Sequence, residues 1–206
     1  MARDRDPQCK QCRREGEKLF LKGSRCLTEK CAIERRNYPP GHNGRGRIRQ
    51  SEYLIQLREK QRARRYYGVL EKQFRRYYDK ASRQPGITGE NLLRLLEMRL
   101  DNVVTRLGFA ASRRQGRQLV RHGHILVNGK RVDIPSYQCR PDDIITIKPE
   151  SGAEQTVRGA TEIGASVAPW LQADHESLSG KFFNDTATTE IDTPVREQLI
   201  VELYSK

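Results

Sequence analysis

Four of the five cysteines in this 206-residue chain fall within its first 31 residues, at Cys9, Cys12, Cys26 and Cys31. Two residues separate the first pair, thirteen the middle pair and four the last pair. Two close pairs joined by a short loop let four thiolates converge tetrahedrally on one ion, and zinc accepts four sulfur ligands without a redox role. Such a set leaves no open position for water or substrate. The expected role is therefore structural, with one zinc ion replacing a core that this segment lacks. Gly23 sits just before the second pair, where a tight knuckle needs a permissive backbone. Three other readings compete: disulfides, which a reducing compartment disfavours, an iron–sulfur cluster, and four free thiols. Cys139 stands alone and reads as a small buried hydrophobe.

The second chemistry is that of guanidinium and ammonium groups facing phosphate. Lys10, Arg13, Arg14 and Lys22 lie between or beside the cysteines. Arg35, Arg36, Arg45, Arg47 and Arg49 then flank a turn through Tyr38-Pro39-Pro40-Gly41, where proline and glycine exclude regular structure and leave a basic arm. His42 has no partner at metal-ligand spacing and reads as a loop residue. The whole chain carries 39 Lys+Arg against 26 Asp+Glu, a formal net charge of +13. That charge is graded along the chain: residues 1–83 net +14, residues 84–148 net +5, and residues 149–206 net −6. A basic front with an acidic tail implies a polyanion held against the first two-thirds of the chain.

Enzyme classes find little support. The sequence has no phosphate-cradling glycine loop, nucleophile elbow or H-E-x-x-H, and its carboxylates are scattered. No small-molecule substrate is expected. No stretch approaches the ~18 apolar residues of a membrane span, and the start is charged, so a cytoplasmic protein with no membrane partner is expected.

Hydrophobic residues make up 35% of the chain and charged residues 32%, which predicts small cores and an extensive charged surface. Ser51 as N-cap and Gly68 as stop bound a first helix. Leu54, Leu57 and Gln61 mark one face of it, and Arg58, Lys60, Arg62, Arg64 and Arg65 crowd the rest. A second helix over about 69–83 carries the stripe Leu70, Phe74, Tyr77, Tyr78 and Ala81, with Arg75 and Arg76 on the other side. Tyr77 and Tyr78 read as core, while Tyr66 and Tyr67 suit either core or base stacking. After a linker at 84–89, the leucines from Leu92 to Leu96 nearly encircle a third, buried helix.

Leu100, Val103, Val104 and Leu107 line a short helix ending at Gly108. Ser112 and Gln115 form a capping box for the next, which runs to about His122. Arg113, Arg117 and Arg121 are spaced by four along that helix, with Arg114 beside them. An Asn128-Gly129 turn predicts a β-hairpin carrying Lys130 and Arg131, and 144–147 reads as a further strand. The fold class is α+β, with small helices on a small twisted sheet forming a positive platform for structured RNA.

These residues carry a resemblance. Arg99-Leu100-Asp101-Asn102-Val103-Val104, Arg106-Leu107-Gly108-Phe109-Ala110, Ser112-Arg113-Arg114-Gln115 and Val127-Asn128-Gly129 resemble the α-L RNA-binding domain of the S-four superfamily. The cysteines, Tyr38-Pro39-Pro40-Gly41, Leu57-Arg58-Glu59-Lys60-Gln61 and the stretch 194–205 are similar to the bacterial small-subunit ribosomal proteins of the S-four family. The resemblance implies a zinc knuckle and basic arm over 1–45 and a helical domain over 46–98 completed by 180–206. An α-L module is implied over 99–165, and a C-terminal extension with a returning helix over 166–206. That last helix would start at Pro194 and use Val195, Leu199, Ile200 and Leu203, while Trp170 would pack. It further implies binding to small-subunit ribosomal RNA of the 16S class, nucleation of its 5′ domain and support of decoding accuracy. Ribosomal proteins S-five and S-three are the implied neighbours, near where messenger RNA enters. The chain departs from the family pattern at His42-Asn43 and in the threonine-rich stretch 183–190. Two alternatives stay open: a zinc-dependent nucleic-acid-binding regulator, and an accessory of an RNA-modifying enzyme.

Overall fold

The computed structural model describes residues 3–42, 44–46, 49–149, 151–163, 167–183 and 191–205. Arg47 and residues 184–190 lie outside the described residues, as does Asn43. Two compact units emerge: Met1–Leu93 with Asp192–Lys206, and Arg94–Ile191.

Helices dominate the first unit. Pro7 opens α1 (Gln8–Glu15) by accepting the Lys10 N–H at 3.0 Å. One turn of 3₁₀ helix at Gly23–Leu27 and the short α2 (Ala32–Arg35) follow. The Ser51 hydroxyl accepts the Leu54 N–H at 3.3 Å and starts α3 (Glu52–Tyr67), which stops at Gly68. Next comes α4 (Glu71–Ala81), burying Phe74, Tyr77 and Ala81. The boundary between the units falls within α5 (Thr88–Glu97). After the second unit, α9 (Glu197–Tyr204) packs along α3.

The buried face of α3 differs from the one its apolar spacing predicts. Leu54, Leu57 and Gln61 are only half-buried, while Gln56, Glu59, Ala63, Tyr66 and Tyr67 are buried. Contacts to α9 are the reason. The Gln56 amide donates to Glu202 Oε2 at 2.9 Å, and Glu59 Oε2 accepts the Arg196 N–H at 3.2 Å. Buried polar groups with such partners avoid the penalty of lost hydration. Glu59 also fixes where α9 begins: at Glu197, with Arg196 extended before it, rather than at Pro194. Val195 and Ile200 are buried, whereas Leu199 and Leu203 are half-buried. Tyr66 and Tyr67 meet edge to face at 5.0 Å as core residues. Tyr204 stacks on Tyr78 at 4.5 Å.

The second unit is a sheet with helices. Leu100, Val103, Val104 and Leu107 from α6 (Leu100–Arg106) and its end, with Leu119 and Val120 from α7 (Arg113–Arg121), enter one core. The Ser112 hydroxyl caps the Gln115 N–H at 3.4 Å, and the Gln115 side chain reaches back to the Ala111 N–H at 2.8 Å. β1 (Ile125–Val127) and β2 (Lys130–Arg131) join through Asn128 at φ 50° and Gly129 at φ 76°, both left-handed as a tight hairpin requires. β3 (Ile144–Ile147) pairs with β1, setting Leu126 against Thr146.

The sheet then continues into a region the sequence assigned to a C-terminal extension. β4 (Leu171–Asp174) and β5 (Ser179–Phe182) complete five antiparallel strands in the order β2-β1-β3-β5-β4 among the described residues. The boundary at 165 is therefore corrected, because Trp170, Leu171 and Phe182 are buried in the same core as Leu107 and Ile145. The helical unit resumes at Asp192 rather than 180. Four-residue strands such as Ser-Gly-Lys-Phe carry little strand propensity, which hid them. α8 (Glu154–Thr161), held by Val157 and Ala160, likewise has no counterpart in the sequence pattern. Cys139 is fully buried, and burial pushes its thiol pKa strongly up, as suits a small hydrophobe.

At Gly116 the two helices α6 and α7 come close: a Cβ there would stand 2.7 Å from the Asp101 carbonyl oxygen and 2.6 Å from Thr105 Oγ1. Gly116→Ala would gain ~1 kcal/mol of helix propensity. The backbone clash outweighs this, so we expect a net loss of about 1–2 kcal/mol. Urea unfolding of the full chain checks it; a gain in stability would show that the helices are not locked at this distance.

Candidate nucleic-acid interface

Cys9 and Cys12 come from α1, one turn apart, Cys26 from the 3₁₀ turn and Cys31 from the residue preceding α2. All four line one small cavity of about 20 Å³, together with Leu21, Ala32 and Ile33. Cys12, Cys26 and Cys31 are buried and Cys9 is half-buried. The Lys22 N–H points at Cys26 Sγ at 3.4 Å. Burial raises the Cys12 pKa; the Leu19 backbone opposes this, and the other three sulfurs add to the rise. Burial likewise raises that of Cys26. Among the described residues, no three or more His, Cys, Asp or Glu side chains already close into a metal-holding group. The donor set and the shared cavity nevertheless fit one ion taking sulfur ligands.

Cations of the first unit fall into two kinds. Some are bound to the protein itself. Arg13 donates to the Tyr38 carbonyl at 3.0 Å, and both Arg13 and Arg45 lie over the Tyr38 ring at 4.8 Å, pinning the arm. Arg14 donates to the Pro40 carbonyl at 3.0 Å, and Arg35 to that of Glu29 at 3.2 Å. On α3, the buried carboxylate of Glu15 takes Arg65 and, at 3.5 Å, Arg58, tying α1 to α3. Burial still pushes the Glu15 pKa up, against the pull of Arg65, Arg58 and Arg62. Arg62 pairs with Glu59 at 2.6 Å. Glu71 of α4 holds Lys60 at 2.8 Å and Arg64 at 2.9 Å. The second kind is exposed, and its side chains carry no protein partner described above: Lys10 on α1, Lys22 before the 3₁₀ turn, Arg36 and Arg49 on the arm, and Arg75 and Arg76 on α4.

The second unit repeats this division. Asp101 grips the buried Arg99 through Nε at 3.0 Å and Nη2 at 2.6 Å, and takes Arg117 at 3.2 Å. Glu97 holds Arg106 in a two-pronged pair and the Asn102 amide at 2.6 Å, and Asn102 Oδ1 in turn accepts Arg113 Nε at 2.8 Å. The spacing by four thus separates in structure: Arg113 and Arg117 are tied to Asn102 and Asp101, while Arg121 is exposed. Arg114 is half-buried; Lys130 and Arg131 stand exposed on the hairpin. Trp170 is buried beneath Arg106, 5.7 Å from its ring. Sequence reasoning missed the organising carboxylates. The spacing of three between Glu59 and Arg62 is a local signal that could have found one of them.

Exposed cations on the arm, the helices and the hairpin, beside others fixed by buried acids, define a nucleic-acid-binding protein rather than a reaction centre. Comparison with known proteins makes this specific. Residues 3–97 match the family described as "Ribosomal protein S4/S9 N-terminal domain", and residues 98–145 match the "S4 domain". The chain is 57% identical to small ribosomal subunit protein uS4 of Acetivibrio thermocellus, 58% to that of Desulforamulus reducens and 56% to that of Pelotomaculum thermopropionicum. Each alignment covers 100% of both chains. The chain belongs to the uS4 family of small ribosomal subunit proteins.

Glu71 sets a pH dependence. Burial opposes its ionisation, but Lys60, the Tyr204 hydroxyl at 2.9 Å and Arg64 outweigh this and lower its pKa. Its contribution to stability is fully present above the unfolded value of about 4.3 and is lost as pH falls through the lowered folded value. Urea midpoints measured down this acid range should fall less steeply in Glu71→Gln than in the unaltered chain; parallel curves would count against the role.

Proposed function

We propose that this chain is a non-enzymatic structural protein of the small ribosomal subunit, binding 16S-class ribosomal RNA directly in the cytoplasm as part of the translation machinery. Family membership along the full length carries this reading. The exposed cations of both units supply the physical means. Guanidinium forks neutralise phosphates and read shape without transforming the RNA. No helix among the described residues is long and apolar enough to cross a membrane.

Finer parts of the reading rest on the family resemblance. The chain would nucleate the 5′ domain and support decoding accuracy. It would neighbour ribosomal proteins S-five and S-three close to where messenger RNA enters. The knuckle and arm (1–45), the helical unit and the α-L module would each touch RNA, and the acidic side chains of residues 149–206 would face away from it.

Zinc belongs to the same proposal. Cys9, Cys12, Cys26 and Cys31 would hold one ion. Bound zinc supplies cross-linking of α1, the 3₁₀ turn and the start of α2, without chemistry of its own. Protein purified without added metal should contain about one zinc per chain, and chelation should unfold the knuckle. Less than half an equivalent of zinc in elemental analysis would remove this part.

Salt dependence distinguishes the two kinds of cation. Replacing Arg121, Lys130 and Arg131 by alanine should flatten the plot of log affinity against log salt by about 0.7–0.9 for each phosphate no longer neutralised. Arg117→Ala should chiefly lower stability, because it strips a partner from buried Asp101. Filter binding to a transcript of the 5′ domain, with duplex DNA as competitor, reads the slope, and urea unfolding reads the stability of Arg117→Ala; an unchanged slope in the triple variant would contradict the assigned RNA-facing roles.

A further inference from the structure

An open cleft of about 580 Å³ lies in the first unit, walled by the end of α1, the arm, α3 as far as Arg62 and the residue before α9. Arg14, Arg58, Arg62 and Arg196 line it. Two carboxylates line it as well, but the side chains of Glu15 and Glu59 are only 0% and 9% exposed, against 30% for Arg58 and 20% for Arg62. The acids form the floor and the guanidiniums the rim, so an entering group meets positive charge first.

The same helix face changes character one turn earlier. Leu54 and Ile55, joined by Pro39 from the arm, give the cleft an apolar wall, and Ile55 is 40% exposed. At the floor, Glu15 Oε2 has no hydrogen-bond partner among the described residues. The cleft thus combines three demands: an anion for the rim, a flat apolar body for the wall, and a hydrogen-bond donor for the floor.

We propose that this cleft receives one unpaired nucleotide of the bound RNA. Its phosphate lies on the arginine rim, its base against Pro39, Leu54 and Ile55, and its ribose hydroxyl toward Glu15. A bare phosphate meets only the first demand. An acidic peptide meets the first but brings further carboxylates toward the two on the floor. A nucleotide meets all three, and unpaired nucleotides are those whose bases are free to leave a stack. Arg196, at the start of α9, thereby becomes an RNA-contacting residue contributed from the far end of the chain. The inference rests on the ribosomal-RNA reading above and specifies one binding position within it.

The test is 2′-hydroxyl acylation footprinting of the full chain on a transcript of the small-subunit 5′ domain. The unaltered chain should protect an unpaired nucleotide that regains reactivity with Ile55→Ser and with Arg196→Ala, the rest of the footprint persisting. Affinity should drop about tenfold in Ile55→Ser, the scale of taking one base off its packing surface. Ile55→Leu should restore both, which separates a missing apolar wall from a damaged fold. Protections identical in the unaltered chain and both variants would overturn the inference while leaving the ribosomal-RNA reading intact. Displacement of the RNA from the unaltered chain by a heptaglutamate peptide, abolished in Arg196→Ala, would reassign the cleft to acidic peptides. Absence of any footprint would overturn the broader reading and this one with it.

Discussion

Mutual repulsion among cations is the constraint on which the rest of this structure depends. Five of the eight residues from Arg58 to Arg65 are basic, on a single helix. Like charges one turn apart each destabilise a helix by a few tenths of a kcal/mol. The fold answers with carboxylates that are each shared between two cations: Glu15 between Arg58 and Arg65, Glu71 between Lys60 and Arg64, Asp101 between Arg99 and Arg117. One negative charge per two positive ones fixes the positions of both and leaves the surface positive. Full neutralisation would remove the attraction for RNA, and none would leave the helices to splay.

Burial makes this arrangement selective. A carboxylate taken out of water is tolerated only when paired and hydrogen-bonded, so Glu15, Glu97 and Asp101 cannot exchange partners freely. Guanidiniums held in this way have given up their rotational freedom to the fold itself. Exposed cations such as Arg121 and Lys130 keep that freedom. The two populations differ in burial and partners although their sequence contexts look alike.

The sequence disclosed the elements that obey strong local rules. Ser51 and Gly68 bounded α3, Ser112 and Gln115 opened α7, and Asn128-Gly129 made the hairpin. The four spaced cysteines line one small cavity, without closing into a metal-holding group among the described residues. Illegible were features decided by distant partners. Gln56 and Glu59 are polar and read as surface, yet α9 buries them from more than 130 residues away. β4 and β5 have weak intrinsic preference and exist because Leu171 and Phe182 fill the core beside Leu107. Arg113 and Arg117 matched the helical spacing of an RNA-facing row, but spacing says nothing of which acids stand across from it. Asp101 and Asn102 sit on another helix, and only the approach of α6 to α7 at Gly116 brings them within reach.

The return of α9 shows why a helical unit can be interrupted by roughly half the chain and still close. Joining two ends of a flexible loop becomes harder only with the logarithm of its length, about 0.6 kcal/mol for each doubling. The segment from Arg94 to Ile191 is itself folded around its own core, so its length is not random coil to be confined. Against that small penalty stand the contacts made on return: Glu59 with the Arg196 N–H, Gln56 with Glu202, Tyr204 on Tyr78 and its hydroxyl on Glu71. The last of these reaches the same carboxylate that restrains Lys60 and Arg64. The final helix therefore completes the electrostatic framework of the basic helices as well as their apolar packing, which is why an acidic tail on a basic protein is no contradiction.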